Sequence, residues 1–276
     1  MLHFLYETAV GRCILKFLTR PAISRIAGNF CDSRASRFLI PWFARKNHIR
    51  LEEFEDIKYE SFNQFFCRKI RKGYRVIDRD PEAFIAPCDG LLSIYPIKDG
   101  LVVPVKRSRY RIADLLRDPV LAAEYEGGTC LVFRLCVNHY HRYIYLDQGT
   151  KSKNVFLPGV LHTVRPIALR NRPVFVENAR EYTVLHTGNH GDVVQMEVGA
   201  MLVGRIRNLH QKAEIQRGQE KGYFEYGGST IILLVKPGEV EFPLKWYKQT
   251  ERGQEIPVKM GERLNRSKIK KHGDRK

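Results

Sequence analysis

Apolar residues recur at helical spacing early in the chain and at strand spacing later. Tyr6, Val10, Cys13 and Phe17 lie three or four apart, with Arg12, Lys16 and Arg20 between them. That pattern predicts an amphipathic helix. Residues 22–30 and 33–49 predict further short helices, opened by Pro21 and by Asp32/Ser33. Ser61-Phe62-Asn63-Gln64 has the form of a capping box, with Phe62, Phe65 and Phe66 as the apolar face and Gly73 as the stop. From about residue 83 the segments become short, β-branched or aromatic, and punctuated by Gly and Pro. Strands are predicted over 91–97, 101–106, 129–137, 142–147, 151–162, 182–186, 193–203, 222–226 and 231–235, with one short helix over 112–117. There is no βαβ rhythm, no dinucleotide or P-loop fingerprint and no internal repeat. The expected class is α+β: a mainly antiparallel β core, barrel- or sandwich-like, with basic amphipathic helices at its N-terminus. The expected regions are 1–82 (helical), 83–258 (β-rich core) and 259–276 (basic tail).

Composition narrows the partners. The 276 residues hold 47 Lys+Arg against 30 Asp+Glu, a formal charge of +17. Such an excess favours an anionic partner, either nucleic acid or a negatively charged lipid surface. Nine of the basic residues fall in the first fifty, against Glu7 and Asp32. A basic amphipathic segment of this kind suits a lipid interface; a helical cap packed on the core is the alternative. No apolar run approaches the roughly 18–20 residues that span a bilayer, and the N-terminus does not read as a secretory signal. The six cysteines show neither C-x-x-C nor zinc spacing and are expected to be free thiols.

Three segments hold candidate chemistry. Ala86-Pro87-Cys88-Asp89-Gly90 is a turn signal at the entry to the β core. Asn138-His139-Tyr140-His141-Arg142-Tyr143 follows the apolar strand, and its two histidines would share a face if the strand continued. They could then serve as metal ligands or as a general acid/base; a satisfied structural histidine is the plain alternative. Gly227-Gly228-Ser229-Thr230 opens onto a buried strand and leaves Ser229 an approach free of side chains. A strand follows rather than a helix, so this is not a nucleophile elbow.

Together, in order, these segments resemble the phosphatidylserine decarboxylase family over nearly the whole chain. The matching stretches are Ser61-Phe62-Asn63-Gln64-Phe65-Phe66-Cys67-Arg68, the turn at 86–90, Tyr140-His141-Arg142, the Pro-Gly-x-x-x-x-Val motif at 158–164, the strand at 198–204 and Gly228-Ser229-Thr230. The resemblance implies a proenzyme that cuts itself between Gly228 and Ser229, into chains 1–228 and 229–276, leaving a covalent pyruvoyl group at position 229. That group would form a Schiff base with phosphatidylserine and serve as electron sink for decarboxylation to phosphatidylethanolamine, with no external cofactor and no metal. Asp89 maps to the family's relay aspartate. Many relatives carry the relay histidine where this chain has Ile144, so the relay falls to His141 or His162, and spacing does not decide between them. The implied location is the cytoplasmic face of the cell membrane, held peripherally on anionic lipid. A homodimer is compatible with this, and no nucleic acid is expected. The rivals are a nucleic-acid-binding β-barrel, a biotinyl- or lipoyl-like carrier (without its exposed hairpin lysine), and a pseudoenzyme disabled by Ile144.

Overall fold

A computed structural model describes residues 2–102, 110–201, 205–227 and 229–266. Expected features at 103–106, 202–203, Gly228 and 267–276 lie outside the described residues. The chain opens with helices α1 (Leu2–Glu7), α2 (Ala9–Leu18), α3 (Pro21–Asp32) and α4 (Leu39–Lys46), then the short α5 (Phe62–Phe66). Strands β1 (Gly90–Lys98), β2 (Leu101–Val102) and β3 (Tyr110–Arg111) precede helices α6 (Ile112–Leu116) and α7 (Pro119–Ala123). Next come β4 (Thr129–Leu135), β5 (Arg142–Ile144), β6 (Gly149–Lys151) and β7 (Val155–Leu157), then helices α8 (Pro166–Asn171) and α9 (Val174–Glu177). The remainder is β8 (Arg180–Thr187), β9 (Asp192–Val198), β10 (Ile206–Asn208), β11 (Ala213–Ile215), β12 (Glu220–Phe224), β13 (Ser229–Val235), α10 (Leu244–Glu251) and β14 (Ile256–Val258).

Among the described residues, every strand pair is antiparallel. A large open sheet runs β11-β6-β8-β9-β13-β4-β1-β2-β3, with β14 also on β1 and β7 also on β8. A small sheet runs β10-β12-β5. The fold is therefore α+β, with two open sheets rather than a closed barrel. Strand β13 lies at the centre of the large sheet, between β4 and β9. Its alternate residues enter different cores. Ile231, Leu233 and Val235 join a cluster with Phe84, Tyr143, Ile144 and Phe224, which packs the small sheet onto that face. Ile232 and Leu234 join Ile112, Leu115, Leu116 and Phe175 on the opposite face, covered by α6 and α9. A strand buried on both faces has no polar alternation, which explains the continuous apolar run at 231–235. Burying one such side chain contributes roughly 1.5–3 kcal/mol, so β13 is anchored firmly.

The N-terminal helices pack on the core, but with a different face from the one expected. Gly11 and Leu15 are the buried positions of α2, while Val10 and Phe17 are 64% and 56% exposed. Leu5, Tyr6 and Leu15 pack against Ile167 and Ala168 of α8. Phe43 and Ala44 of α4 pack against Phe62, Phe65 and Phe66 of α5. The outer face keeps exposed Phe4, Val10, Ile14, Phe17, Ile26, Phe30, Phe38 and Trp42 beside exposed arginines and lysines.

The segment expected to begin a tail at Lys259 is instead packed as far as it is described. Met260 and Leu264 are buried in the main core, and the Leu264 N–H donates to the Phe84 carbonyl at 2.8 Å. Two apolar residues among basic ones suffice to seat it. All six cysteines are free.

Candidate active site

Two chain crossings lie side by side in this fold. Between β4 and β5 the chain passes from the large sheet to the small one, through residues 136–141. Between β12 (ending at Phe224) and β13 (starting at Ser229) it passes back, with residues 225–227 described. Since β13 pairs with β4 and β12 pairs with β5, the two crossings are neighbours. Ser229 stands at the second crossing, opposite Leu135 at the end of β4. His141 stands at the end of the first, with its carbonyl accepting from the Phe224 N–H at 3.0 Å. Topology thus brings together two residues 88 apart in sequence.

The contact between them is direct. His141 Nδ1 is 3.2 Å from Ser229 Oγ, and His141 Nε2 is 3.0 Å from the Cys136 carbonyl oxygen. A carbonyl only accepts, so Nε2 carries the proton and donates it there. Nδ1 is then bare and faces the hydroxyl as an acceptor. Both side chains are shut away from solvent. Burial, followed by the charge of Arg68, pushes the His141 pKa down to about 3, so the ring is neutral at physiological pH. A neutral imidazole with its free nitrogen on a serine hydroxyl is the arrangement of a general base and its nucleophile.

Helix α5 and the residues after it clamp the two crossings. Asn63 Oδ1 accepts from the Tyr226 N–H at 3.1 Å. The Phe66 ring lies 4.3 Å from the His141 ring. The Cys67 carbonyl accepts from Arg142 Nε at 2.8 Å. Arg68, fully buried, donates to the carbonyls of Phe65, Phe66 and His139. The Ser61 hydroxyl caps α5 by accepting from the Gln64 N–H at 3.1 Å, as its sequence predicts. Gly227, two residues before Ser229, adopts φ +130, a backbone conformation open to glycine and few other residues.

Asp89 lies elsewhere. Its two carboxylate oxygens take Arg75 Nε at 2.8 Å and Arg75 Nη2 at 2.5 Å, and one of them also accepts from the Met260 N–H. Arg75 reaches on to Glu53 at 3.0 Å, and Glu53 pairs in turn with Arg50. Neither ring nitrogen of His141 meets Asp89. Ile144 does sit beside the Asp89 turn, with its N–H donating to the Pro87 carbonyl at 2.9 Å, but it is a core residue. With no imidazole at that position, the carboxylate is balanced by a guanidinium.

His162 does not reach Ser229 either. Its Nδ1 takes the Tyr6 hydroxyl at 3.2 Å and its Nε2 lies 3.3 Å from Glu177. Asn178 bonds both its N–H and its carbonyl. Burial, then Arg172, pushes its pKa down to about 4. His162 therefore fastens α1 to the loop that follows Gly159, whose own Cβ would stand 2.3 Å from the Glu177 carbonyl. His139 and His141 do not share a strand face: β4 ends at Leu135 and the backbone turns between them. His139 Nδ1 accepts from the Cys136 N–H instead. Among the described residues, no three His, Cys, Asp or Glu side chains converge as a metal site.

Sequence reasoning missed Arg75, the Cys136 carbonyl and Tyr6. The first two carry no motif. Tyr6 was visible only as a helical apolar position. Arg68 and Phe66 lay within the quoted Phe-rich stretch, without a role.

Next to Leu135, the residue that pairs with Ser229, is a cavity of about 870 Å³ lined also by Cys136, Val164, Met201, Tyr226 and Gly227. Leu2 and His3 of α1 and Ile167 and Arg170 of α8 also line it.

The sequence model of the family described as phosphatidylserine decarboxylase matches residues 62–266. The chain is 42% identical over 264 residues to phosphatidylserine decarboxylase proenzyme 2 of Clostridium acetobutylicum, covering 95% of this chain and 90% of that one. It is 40% identical over 270 residues to the phosphatidylserine decarboxylase proenzyme of Ruminiclostridium cellulolyticum (96% and 90% covered). The chain belongs to the phosphatidylserine decarboxylase family.

Proposed function

We propose that this chain is a phosphatidylserine decarboxylase that generates its own pyruvoyl group by cleavage between Gly228 and Ser229. The observation that carries the reading is the bare Nδ1 of a buried, neutral His141 at 3.2 Å from Ser229 Oγ. His141 takes the hydroxyl proton as Oγ attacks the Gly228 carbonyl carbon, and the peptide bond becomes an ester. Loss of the Ser229 α-proton expels the upstream chain as a carboxylate and leaves a dehydroalanine. Water replaces its nitrogen, which departs as ammonia, and a pyruvoyl end remains. Residue 229 stays in place, because β13 is hydrogen-bonded on both edges and its residues 231–235 are buried.

The residues present suit such a group. Position 229 is fully buried against Leu135, with an acid/base side chain already in contact. The pyruvoyl ketone supplies an electrophile for the substrate amine and a sink for the electron pair left by CO₂. The Phe66 ring and the buried crossing keep water from His141, and a dry site favours loss of a carboxylate charge. His141, in contact with position 229, is the side chain this reading assigns to protonating the product carbon.

The exposed apolar and basic residues of the N-terminal helices support attachment to an anionic bilayer, which this reading sets on the cytoplasmic side. Their outer face combines exposed Phe17, Phe38 and Trp42 with Arg12, Lys16, Arg37 and Arg45. Each basic residue near such a surface contributes about 1 kcal/mol. No helix among the described residues is long and apolar enough to cross a membrane. The test is release of CO₂ from carboxyl-labelled phosphatidylserine, with Ser229→Ala as control. Release by the native chain and none by the variant is expected. No release by either would leave the chain a non-catalytic member of the family.

A further inference from the structure

The cavity beside Leu135 has a polarity that the decarboxylation chemistry does not use. Three arginines and one histidine line it, and no aspartate or glutamate does. Arg134 is committed, since its guanidinium grips Glu255. His3 pairs with Glu7 on its own helix. Arg165 and Arg170 are different. Both are exposed, at the start and near the end of α8, and neither guanidinium has an ion-pair partner among the described residues. Apolar Val164, Ile167 and Met201 line the same cavity. Ile167 also packs against Leu5 of α1, and Leu2 of the same helix lines the cavity.

We propose that Arg165 and Arg170 form the subsite for the phosphodiester of the lipid substrate, at the mouth of the cavity. This rests on the decarboxylase reading above. The substrate carries two anions, and the physics assigns them differently. The carboxylate must lose its charge, so a cation beside it would stabilise the ground state and slow the reaction. The phosphodiester keeps its charge throughout, so arginines can bind it at no cost to the chemistry, and guanidinium forks match its geometry. Two free arginines at the mouth and none uncommitted at the serine is the distribution this predicts. The acyl chains then leave past Leu2 and Phe4, toward the apolar outer face of the N-terminal helices.

The test uses the full-length protein, wild type and Arg165→Gln/Arg170→Gln. Maturation is followed by intact mass. KM and kcat are measured for short-chain phosphatidylserine in neutral detergent and for phosphatidylserine in anionic vesicles, and kcat/KM for free L-serine. Binding of glycerophosphoethanolamine and of inorganic phosphate is titrated directly. The double variant should cleave itself to the same end-point. Its KM for the phospholipid should rise about 10-fold to 100-fold with kcat little changed, and its selectivity for phospholipid over serine should fall alike. Glycerophosphoethanolamine should bind more weakly by a similar factor. Phosphate should compete with it in the wild type if the anion alone is recognised; failure to compete would assign recognition to the whole headgroup at the same arginines. Unchanged KM and unchanged glycerophosphoethanolamine binding would overturn the subsite. So would a loss seen only on anionic vesicles, which would make the arginines part of the lipid-facing surface. A wild-type chain that neither matures nor releases CO₂ would refute the decarboxylase reading instead, while the titration would still judge the arginines.

Discussion

His141 Nδ1 lies 3.2 Å from Ser229 Oγ, and the Cys136 carbonyl on the far side of the ring fixes which nitrogen is bare. If that nitrogen takes the hydroxyl proton, His141→Ala should slow self-cleavage by about 10²–10⁴-fold, the usual worth of a positioned general base. Gel analysis over days should show the 276-residue chain persisting. Cleavage at the wild-type rate would remove His141 from the role.

His162 should behave differently, because its ring nitrogens are engaged by Tyr6 and Glu177. His162→Ala should mature at close to the native rate. It should also lose about 1–3 kcal/mol of stability, since the buried Tyr6 hydroxyl loses the imidazole it bonds. Denaturant unfolding measures the loss, and the cleavage time course separates the two histidines.

Arg75 and Asp89 form a bidentate pair with both side chains nearly closed to solvent. Removing one partner of such a pair strands the other charge, at a cost of about 3–5 kcal/mol. Arg75→Met should therefore destabilise strongly, and Arg75→Met with Asp89→Leu should recover much of the loss. If the double variant also matures, Asp89 holds the fold rather than relaying charge to Ser229. If the double variant is stable but uncleaved, Asp89 acts in maturation.

Acid should weaken the fold early and self-cleavage late. His141 and His162 have pKa values pushed down to about 3 and about 4 by burial. In the unfolded chain they titrate near 6.5. The native state is thus fully favoured above about pH 6.5, and each group's contribution is lost as pH falls from there to its folded value. Thermal midpoints should drop steadily from pH 6.5 toward pH 4. The cleavage rate of protein that remains folded at pH 5.5 should show no inflection from His141.

Much of this was visible in the residues, for identifiable reasons. The run Ile231–Leu234 reads as a buried strand because both faces of β13 are covered, and the capping box at Ser61 forms as written. Strands β10, β11 and β14 escaped because three residues carry too little periodicity to stand out. The inner face of α2 was misassigned because Gly11, not a large apolar residue, permits its close approach to α1; a Cβ there would stand 1.9 Å from the Phe4 carbonyl. In the site, Ser229 and His141 were both legible as residues of interest. Their contact depends on two adjacent sheet crossings, which no local pattern encodes. The capture of Asp89 by Arg75 depends on a segment with no periodic signal.

The central claim is that Ser229 cuts the chain before itself. Intact mass of the freshly purified wild-type protein, under denaturing conditions, tests it most directly. Two species are predicted: residues 1–228 and a 48-residue partner whose first residue has lost its amine and carries a pyruvoyl group. Under native conditions the two should migrate together, because β13 is held between β4 and β9. A single species with the mass of all 276 residues, unchanged after prolonged incubation with lipid, would contradict the account.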